Sequence, residues 1–188
     1  MPYKNPSAIF WRFIQRYWPE IYCVVLIVLL AVFSLHVSTA EAGDIPGDLM
    51  IDLDSLTVSE EEFVCLALND YFEARGESLA GRLAVAKVVM NRARDKRYPK
   101  NVCAVIKQNK SRLSNRCQFS WYCDGRPDTP YNRASWVRSL RLSSAVLQKD
   151  TSIADPSGGA LWYHASFVSP SWAANLKVSG VVGGHIFY

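Results

Sequence analysis

Residues 71–77 read YFEARGE and separate two stretches of helical periodicity. Before them, apolar residues at 63–72 recur at the spacing of one helix face, and Gly76 then interrupts the pattern. A second helix is expected at residues 79–94, with Ser78 as its N-terminal cap. The heptapeptide therefore lies where one predicted helix ends and another begins.

Glu73 is the candidate catalytic residue in this heptapeptide. It follows an apolar helix face that includes Ala67 and Phe72, whereas a solvated glutamate is expected on the opposite face. Apolar neighbours raise the pKa of a carboxyl group and keep it protonated near neutral pH, which is the state that a general acid requires. The position therefore suits an acid catalyst.

The three residues Arg75, Gly76 and Glu77 are expected to support the turn around Glu73. Arg75 and Glu77 can pair, and Gly76 permits a backbone conformation that other residues resist. Glu77 also lies at the start of the second predicted helix, where the helix dipole favours a negative charge. We therefore predict a structural role for Glu77.

Charge is unevenly distributed along the 188 residues, although the formal net charge is only +4. Residues 38–62 hold eight Asp and Glu and no Lys or Arg, whereas residues 63–188 hold 18 Lys and Arg against 8 Asp and Glu. So basic a part is expected to bind a polyanion, and nucleic acid, anionic lipid and anionic cell-envelope polymers all qualify. A basic surface that only keeps the protein soluble is an equally good explanation.

An apolar segment, residues 21–37, follows a basic and aromatic N-terminal tail, residues 1–20. It is at the short limit for a transmembrane helix, and Tyr17 and Trp18 stand where an interfacial aromatic belt belongs. Basic residues before it and acidic residues after it predict a cytoplasmic tail and an extracytoplasmic, membrane-anchored domain. Small residues around Ala40 also fit signal-peptide cleavage, which would give a secreted protein, but the long tail favours an anchor.

The remaining chain is expected to consist of an acidic linker, residues 38–59, and a folded domain, residues 60–188. Ser59 and Glu62 have the spacing of a capping box, which would begin the first helix. A short helix is expected at residues 102–108, beyond the first two.

A third long helix is expected after a loop, with Asp128 or Thr129 as its cap and Pro130 in its first turn. Residues 160–164 and 184–188 then resemble short strands rich in aromatic residues. The predicted fold class is α+β, mainly helical with a small sheet late in the sequence, preceded by one N-terminal transmembrane helix.

Four of the five cysteines, Cys65, Cys103, Cys117 and Cys123, lie beyond the apolar segment. In an exported domain they would form two disulfides, for which three pairings exist. Cys117 and Cys123 are close enough to close one loop, and Cys65 with Cys103 would then tie the first helix to the third. Buried thiols are the alternative in a cytosolic domain. The Cys and His spacings fit no common zinc site, so we expect neither a metal ion nor another cofactor.

Six motifs in order along residues 63–188 resemble the SleB-type cell wall hydrolase family, which includes spore-cortex-lytic enzymes. They are YFEARGE at 71–77, AVAKVVMNR at 84–92, YP and VC within 98–103, CQFSW and CDG within 117–125, GALWYHA at 159–165 and GHIFY at 184–188. Each motif alone is weak, but the ordered combination is specific. The resemblance implies a fold like that of lysozyme and the lytic transglycosylases.

The resemblance implies that Glu73 is the catalytic residue of a peptidoglycan-degrading enzyme. It would protonate the glycosidic oxygen between N-acetylmuramic acid and N-acetylglucosamine, and then act as a base while the muramic C6 hydroxyl closes a 1,6-anhydro ring. This reaction needs no second carboxylate, whereas glycoside hydrolysis usually uses two. The other acids of the basic part offer no convincing second carboxylate; they are Asp70, Glu77, Asp95, Asp124, Asp128, Asp150 and Asp155.

The family motifs also imply a sugar cleft with polar and aromatic walls. The implied lining residues are Gln118, Phe119, Ser120, Trp121, Tyr163 and His164. Gln118 and Ser120 suit hydrogen bonds to N-acetyl groups. The aromatic residues, together with Trp162, offer ring faces for sugars, although core packing is the more common role of such rings.

Other functions stay open at this point. A hydrolytic muramidase would use water in place of the internal hydroxyl. A zinc amidase, or a thiol enzyme that pairs a cysteine with His164, would instead cut the peptide part of the polymer. A non-catalytic, membrane-anchored protein could hold envelope polymers through its charge, whereas nucleic acid is not an expected partner of an exported domain. Nothing in the sequence indicates an oligomeric state.

Overall fold

A computed structural model of the chain describes residues 49–109 and 117–188, together with Val25 and Val28. Apart from those two valines, the predicted tail and apolar segment lie outside the described residues, as does the first half of the predicted linker. Among the residues that the structure describes, no helix combines the length and the apolar character needed to cross a bilayer. The transmembrane anchor therefore stays a prediction.

Within the described residues, the unit Glu41–Tyr188 contains four α-helices and three short β-strands. The helices are α1 (Glu60–Asn69), α2 (Leu79–Arg94), α3 (Val102–Ile106) and α4 (Arg133–Leu147), and the strands are β1 (Tyr163–Ala165), β2 (Gly180–Val182) and β3 (His185–Phe187). A π-helical turn, Asp70–Ala74, continues α1, and 3-10 turns lie at Leu53–Ser55, Ser120–Cys123 and Ser171–Asn175. The expectation of a mainly helical α+β domain with a small late sheet is confirmed.

The first two helices begin where local cap chemistry predicts. The Ser59 side chain accepts a hydrogen bond from the Glu62 backbone, and the Glu62 side chain accepts one in return, which completes the capping box. The Ser78 hydroxyl accepts a hydrogen bond from the Gly81 backbone N–H at 3.2 Å and caps α2. Each cap satisfies backbone donors that the first turn of a helix leaves free.

The start of α4 differs from the expectation. Asn132 caps the helix, so neither Asp128 nor Thr129 does, and Pro130 lies before the first turn. The Asn132 backbone N–H also donates to the Tyr71 hydroxyl at 2.9 Å. A buried tyrosine 61 residues earlier therefore helps to decide where α4 begins.

Helix α2 occupies the centre of the domain, because other elements pack against it on two sides. Its apolar faces carry small and branched residues: Ala86, Val89 and Met90 on one, Ala84, Val85 and Val88 on the other. The first face packs against α1, α3 and α4 in the main core. The second face packs against the fully buried Phe187 of β3, and this contact attaches the sheet to the helices.

Three basic side chains of α2 are also buried, and each has a polar partner. Arg82 forms an ion pair with Asp70, one of whose hydrogen bonds spans 3.0 Å. Lys87 Nζ donates to a backbone carbonyl at 2.9 Å, and Arg92 Nε donates to the carbonyl of Leu161 at 2.7 Å. Such partners are needed because a buried polar group without a hydrogen bond is destabilising.

The sheet has the strand order β1-β3-β2, and β3 is antiparallel to both neighbours. The strands at residues 160–164 and 184–188 were predicted, although both are shorter in the structure, whereas β2 was not predicted. Tyr163 pairs with Phe187 and Ala165 with His185. Tyr163 and His185 are therefore diagonal neighbours on adjacent strands, close enough for their rings to touch.

The folded domain begins before residue 60. Leu56, in the predicted linker, is 5% exposed and belongs to the main core. It forms an isolated bridge with Gln148, and the Thr57 backbone N–H donates to the Leu147 carbonyl at 2.8 Å. The end of the predicted linker is thus held against the end of α4.

Candidate active site

Glu73 lies in the π-helical turn that directly follows α1. Single π-helical turns are rare in proteins, and many of those that occur lie at functional sites. Tyr71 and Ala74 of the same turn are buried at 0% and 1% exposure, so Glu73 emerges between buried neighbours and is itself only partly exposed. The change of helical pitch therefore coincides with the candidate catalytic residue.

Burial raises the pKa of the Glu73 carboxyl from about 4.5 to about 7. Removal from water disfavours the charged form of a carboxyl group. Within the described residues, no cation pairs with Glu73 to oppose this effect. Both the protonated and the charged form of Glu73 are therefore accessible near neutral pH.

Tyr163 of β1 lies close enough to Glu73 for their charges to interact. Burial raises the pKa of the Tyr163 phenol, the Glu73 charge raises it further, and Arg92 lowers it. The Tyr163 ring packs edge-on against His185, with ring centroids 5.2 Å apart. A neutral phenol is thus held near the candidate acid.

Glu77 connects the start of α2 to the turn between β2 and β3. Its Oε2 accepts a hydrogen bond from the Gly184 backbone N–H at 2.9 Å, and its Oε1 lies 3.7 Å from His185 Nδ1. A Cβ atom at Gly183 would overlap Glu77 Oε2, and one at Gly81 would lie 3.1 Å from it. Three glycines therefore make room for Glu77, which suits the predicted structural role.

Arg75 and Glu77 do not pair, contrary to the expectation. The Arg75 guanidinium instead stacks over the rings of Tyr71 and Tyr131, at 4.6 and 4.8 Å from their centroids, and hydrogen-bonds the Tyr131 hydroxyl. Glu77 is drawn away by its contacts with the β2–β3 turn. Gly76 has an ordinary φ and open space at its Cβ position, so the predicted need for glycine there is also wrong.

Phe119 and Trp121 lie in the core, where they cannot stack on a sugar. Their exposures are 2% and 8%. The Trp121 ring stacks on Phe72 at 5.1 Å, and its Nε1–H donates to Asn69 Oδ1 at 3.1 Å. The prediction that these two rings line the cleft is corrected, because the core buries both rings and Phe72 covers a face of Trp121.

His164 is committed to contacts within the protein. Its Nδ1 lies 2.9 Å from the Ala165 carbonyl and its Nε2 lies 2.8 Å from the Tyr188 hydroxyl. A neutral ring satisfies both contacts if Nδ1–H donates and Nε2 accepts. The ring also stacks on Tyr188 at 5.4 Å. His164 thus holds the end of the sheet and has no ring nitrogen left for a substrate.

A cleft of about 360 Å³ opens beside Tyr163. It is lined by Arg92, Gln118, Trp162, Tyr163, Trp172 and Leu176. Gln118 and Tyr163 were predicted to line a cleft, whereas the exposed Ser120 is not part of this one. The sequence analysis missed Arg92, Trp172 and Leu176. Trp172 carried a signal in the sequence, because it is a further aromatic residue between the two predicted strands.

The sequence profile of a family described as Cell Wall Hydrolase matches residues 76–188. The chain belongs to this family. The resemblance to SleB-type cell wall hydrolases is thereby confirmed. The match begins at Gly76, so it includes Glu77 and all six residues that line the cleft, but not Glu73.

Two curated relatives of this cell wall hydrolase are spore cortex-lytic enzymes. The one from Halalkalibacterium halodurans is 31% identical over 134 residues, which cover 69% of this chain and 35% of the relative. The one from Oceanobacillus iheyensis is 27% identical over 130 residues, which cover 69% of this chain and 42% of the relative. The chain thus spans less than half the length of these relatives.

Two solved structures share the fold of this cell wall hydrolase. The catalytic domain of the Bacillus cereus SleB protein superposes with a TM-score of 0.52 at 23% identity, and covers 79% of this chain and 98% of that one. The catalytic domain of the germination-specific lytic transglycosylase SleB from Bacillus anthracis gives a TM-score of 0.53 at 24% identity, with coverages of 76% and 98%. The architecture described above is therefore that of a SleB catalytic domain.

The four cysteines beyond the apolar segment form two disulfides in this cell wall hydrolase, Cys65–Cys103 and Cys117–Cys123. A thiol enzyme built on any of them would need a free thiolate, which a disulfide does not provide. Among the described residues, one group has metal-ligand spacing, Glu61 with Cys65 and Cys103. Both of its sulfurs are in the disulfide, so this donor set does not suit zinc.

Proposed function

We propose that the domain cleaves peptidoglycan between N-acetylmuramic acid and N-acetylglucosamine as a lytic transglycosylase, with Glu73 as its lone acid/base. The observation that carries the proposal is the pKa of about 7 at Glu73, which burial alone produces. A group with this pKa can donate a proton and take one back at neutral pH.

In the first step, protonated Glu73 donates its proton to the glycosidic oxygen as the bond from that oxygen to muramic C1 breaks. In the second step, the Glu73 carboxylate accepts the proton of the muramic C6 hydroxyl as its oxygen bonds to C1. The products are a free hydroxyl on N-acetylglucosamine and a 1,6-anhydro ring. No water is consumed, and Glu73 returns to its protonated form.

The two carboxylates nearest to Glu73 in the sequence already have partners, which supports an internal nucleophile. Asp70 is buried in its ion pair with Arg82, and Glu77 binds the β2–β3 turn. Neither is free to activate a water molecule on the far side of the sugar, as an inverting hydrolase requires. The fold shared with a protein described as a lytic transglycosylase supports the same choice.

Replacement of Glu73 tests the proposal directly. Purified peptidoglycan is digested with the unaltered protein and with Glu73→Gln, and the muropeptides are identified by mass. We expect 1,6-anhydro-muramic ends from the unaltered protein and a rate about 10²- to 10⁴-fold lower for Glu73→Gln, with glycan binding retained. The control is Glu60→Gln, an exposed glutamate in the first turn of α1, which should digest normally.

The products also decide between the alternatives. Reducing muramic ends would indicate a hydrolytic muramidase in place of a transglycosylase. Cleaved peptides with intact glycan would contradict both glycosidic activities. Unchanged function in Glu73→Gln would favour a protein that only binds envelope polymers.

We also propose that residues 21–37 anchor the domain on the outer side of the cytoplasmic membrane. The two disulfides support this location, because such bonds persist in oxidising compartments. Protease added to intact spheroplasts should degrade the domain, and membranes washed with high salt should retain it. A domain protected from protease in intact spheroplasts would contradict the proposal.

A further inference from the structure

The cleft beside Tyr163 contains an arginine whose charge is not neutralised by a neighbour. Arg92 is 2% exposed and forms part of the cleft wall. Its Nε donates to the Leu161 carbonyl, and its guanidinium lies 5.5 and 5.7 Å from the ring centroids of Tyr98 and Phe119. Among the residues that the structure describes, its Nη1 has no hydrogen-bond partner and no carboxylate forms an ion pair with it.

Arg82 of the same helix shows what a buried arginine ordinarily has. Arg82 is 7% exposed, and its charge is met by the carboxylate of Asp70. A buried cation without such a partner is unfavourable, and an unpaired buried nitrogen adds to that cost. Arg92 therefore differs from Arg82 in having no carboxylate partner among the described residues. Because Arg92 lies in the wall of a cleft, a bound molecule could supply that carboxylate.

The other walls of the cleft suit a sugar ring. Trp172 is 46% exposed, and its ring is fixed by edge contacts with His164 at 5.6 Å and Tyr188 at 5.8 Å. A rigid, exposed aromatic face is a common platform for an apolar ring surface. Gln118 lines the same cleft, and its side-chain amide can serve an N-acetyl group.

We propose that this cleft is a substrate subsite in which Arg92 binds a carboxylate attached to the sugar that packs on Trp172. The identity of the sugar rests on the proposed function. In peptidoglycan such a carboxylate has two sources: the lactyl group of muramic acid where the peptide is absent, and the stem peptide where it is present. Arginine is suited to either, because its planar donors match carboxylate geometry.

Binding to Glu73→Gln, which holds substrate without turnover, tests the subsite by calorimetry. The probes are a peptide-free glycan tetrasaccharide, a peptide-bearing tetrasaccharide, and each of these with its carboxylates converted to methylamides. We expect conversion to the methylamide to weaken the binding of at least one of the two tetrasaccharides about tenfold to a hundredfold, since a hydrogen bond to a charged group is lost. The pair that responds identifies the source of the carboxylate. Equal affinities within both pairs would overturn the proposal.

Two variants locate the effect, each in the Glu73→Gln background. Arg92→Gln should abolish the preference for the acid over the amide, and near-ultraviolet circular dichroism shows whether the variant is folded. Trp172→Ala should weaken acid and amide alike, whereas Phe167→Ala, 87% exposed and outside the cleft lining, should weaken neither. A folded Arg92→Gln that keeps the preference would overturn the assignment.

The outcome is separable from that of the proposed function. A preference for carboxylates in a protein that releases no anhydro products would leave the subsite standing and remove the transglycosylase. Anhydro products from a protein without a preference for carboxylates would leave the transglycosylase standing and remove the subsite. If Arg92→Gln does not fold, the comparison of acid and amide probes on the Glu73→Gln protein still decides the question.

Discussion

At Glu73, burial destabilises the charged carboxyl, and the described residues place no cation against it to restore the charge. The nearby Tyr163 stays neutral because burial and the Glu73 charge both raise the pKa of its phenol. The site thus has an acid that titrates near pH 7 beside a phenol that does not titrate there. Its pH behaviour should follow Glu73 alone.

The pH dependence of cleavage should therefore show one descending limb. Since the first step needs protonated Glu73, kcat/KM should fall as pH rises through about 7. Release of anhydro-muropeptides from pH 5 to pH 9 measures this dependence. A rate that stays constant to pH 9 would show that Glu73 is not the acid.

Stability should depend on the same group. The folded pKa of Glu73 is above the unfolded one, so the folded state binds its proton more tightly and loses stability as pH rises from about 4.5 to about 7. Glu73→Gln removes this loss, and its stability relative to the unaltered protein should increase by up to about 3 kcal/mol over that range. Urea unfolding at several pH values measures the change, and Glu60→Gln should show none.

At the scale of elements, the turn between β2 and β3 is attached to α2 through Glu77. Gly183 has a φ of +58° and Gly125 a φ of +78°, so alanine is strained at both. Only at Gly183 would the new Cβ also overlap Glu77 Oε2; at Gly125 it would meet nothing within 4 Å. The pair therefore separates backbone strain from the loss of the attachment.

Gly183→Ala should be less stable than Gly125→Ala by about 1–3 kcal/mol, which is the typical cost of overpacking. It should also lower the rate of glycan cleavage, because His185 follows this turn and packs against Tyr163. Urea unfolding and muropeptide release measure the two effects. Equal losses in both variants would show that the contact with Glu77 does not stabilise the turn.

At the scale of the whole domain, the two disulfides close loops of different length. Cys65–Cys103 joins α1 to α3 across a sequence separation of 38, and Cys117–Cys123 spans 6. A longer closed loop restricts the unfolded chain more, so the expected stabilisation is about 4 kcal/mol for the first and about 2 kcal/mol for the second.

Thermal and urea unfolding of the two double Cys→Ala variants measures these contributions. Removal of Cys65–Cys103 should lower the free energy of unfolding by the larger amount. The Cys117–Cys123 variant is the matched control, since it also loses one disulfide from the same domain. A larger loss in the control would contradict the loop-length explanation.

Several features of the domain could be predicted from neighbouring residues alone. The capping box at Ser59, the cap at Ser78 and the bounds of α2 depend on contacts within one or two helical turns, so the sequence contains the whole cause. The candidate role of Glu73 followed from an apolar helix face and from motifs shared with a family. The proximity of Cys117 to Cys123 in the chain likewise indicated one disulfide.

Tertiary structure decided the features that depend on distant residues. The hydrogen bond of Glu77 spans 107 residues, and that of Tyr71 to the start of α4 spans 61. Whether an aromatic ring is buried like Phe119 or exposed like Trp172 depends on which elements pack over it, and the residue type is compatible with both. The sequence by itself determined the first two helices, their caps and the candidate acid; packing determined the start of α4, the partner of Glu77, the cleft wall at Arg92 and the burial that sets the pKa of Glu73.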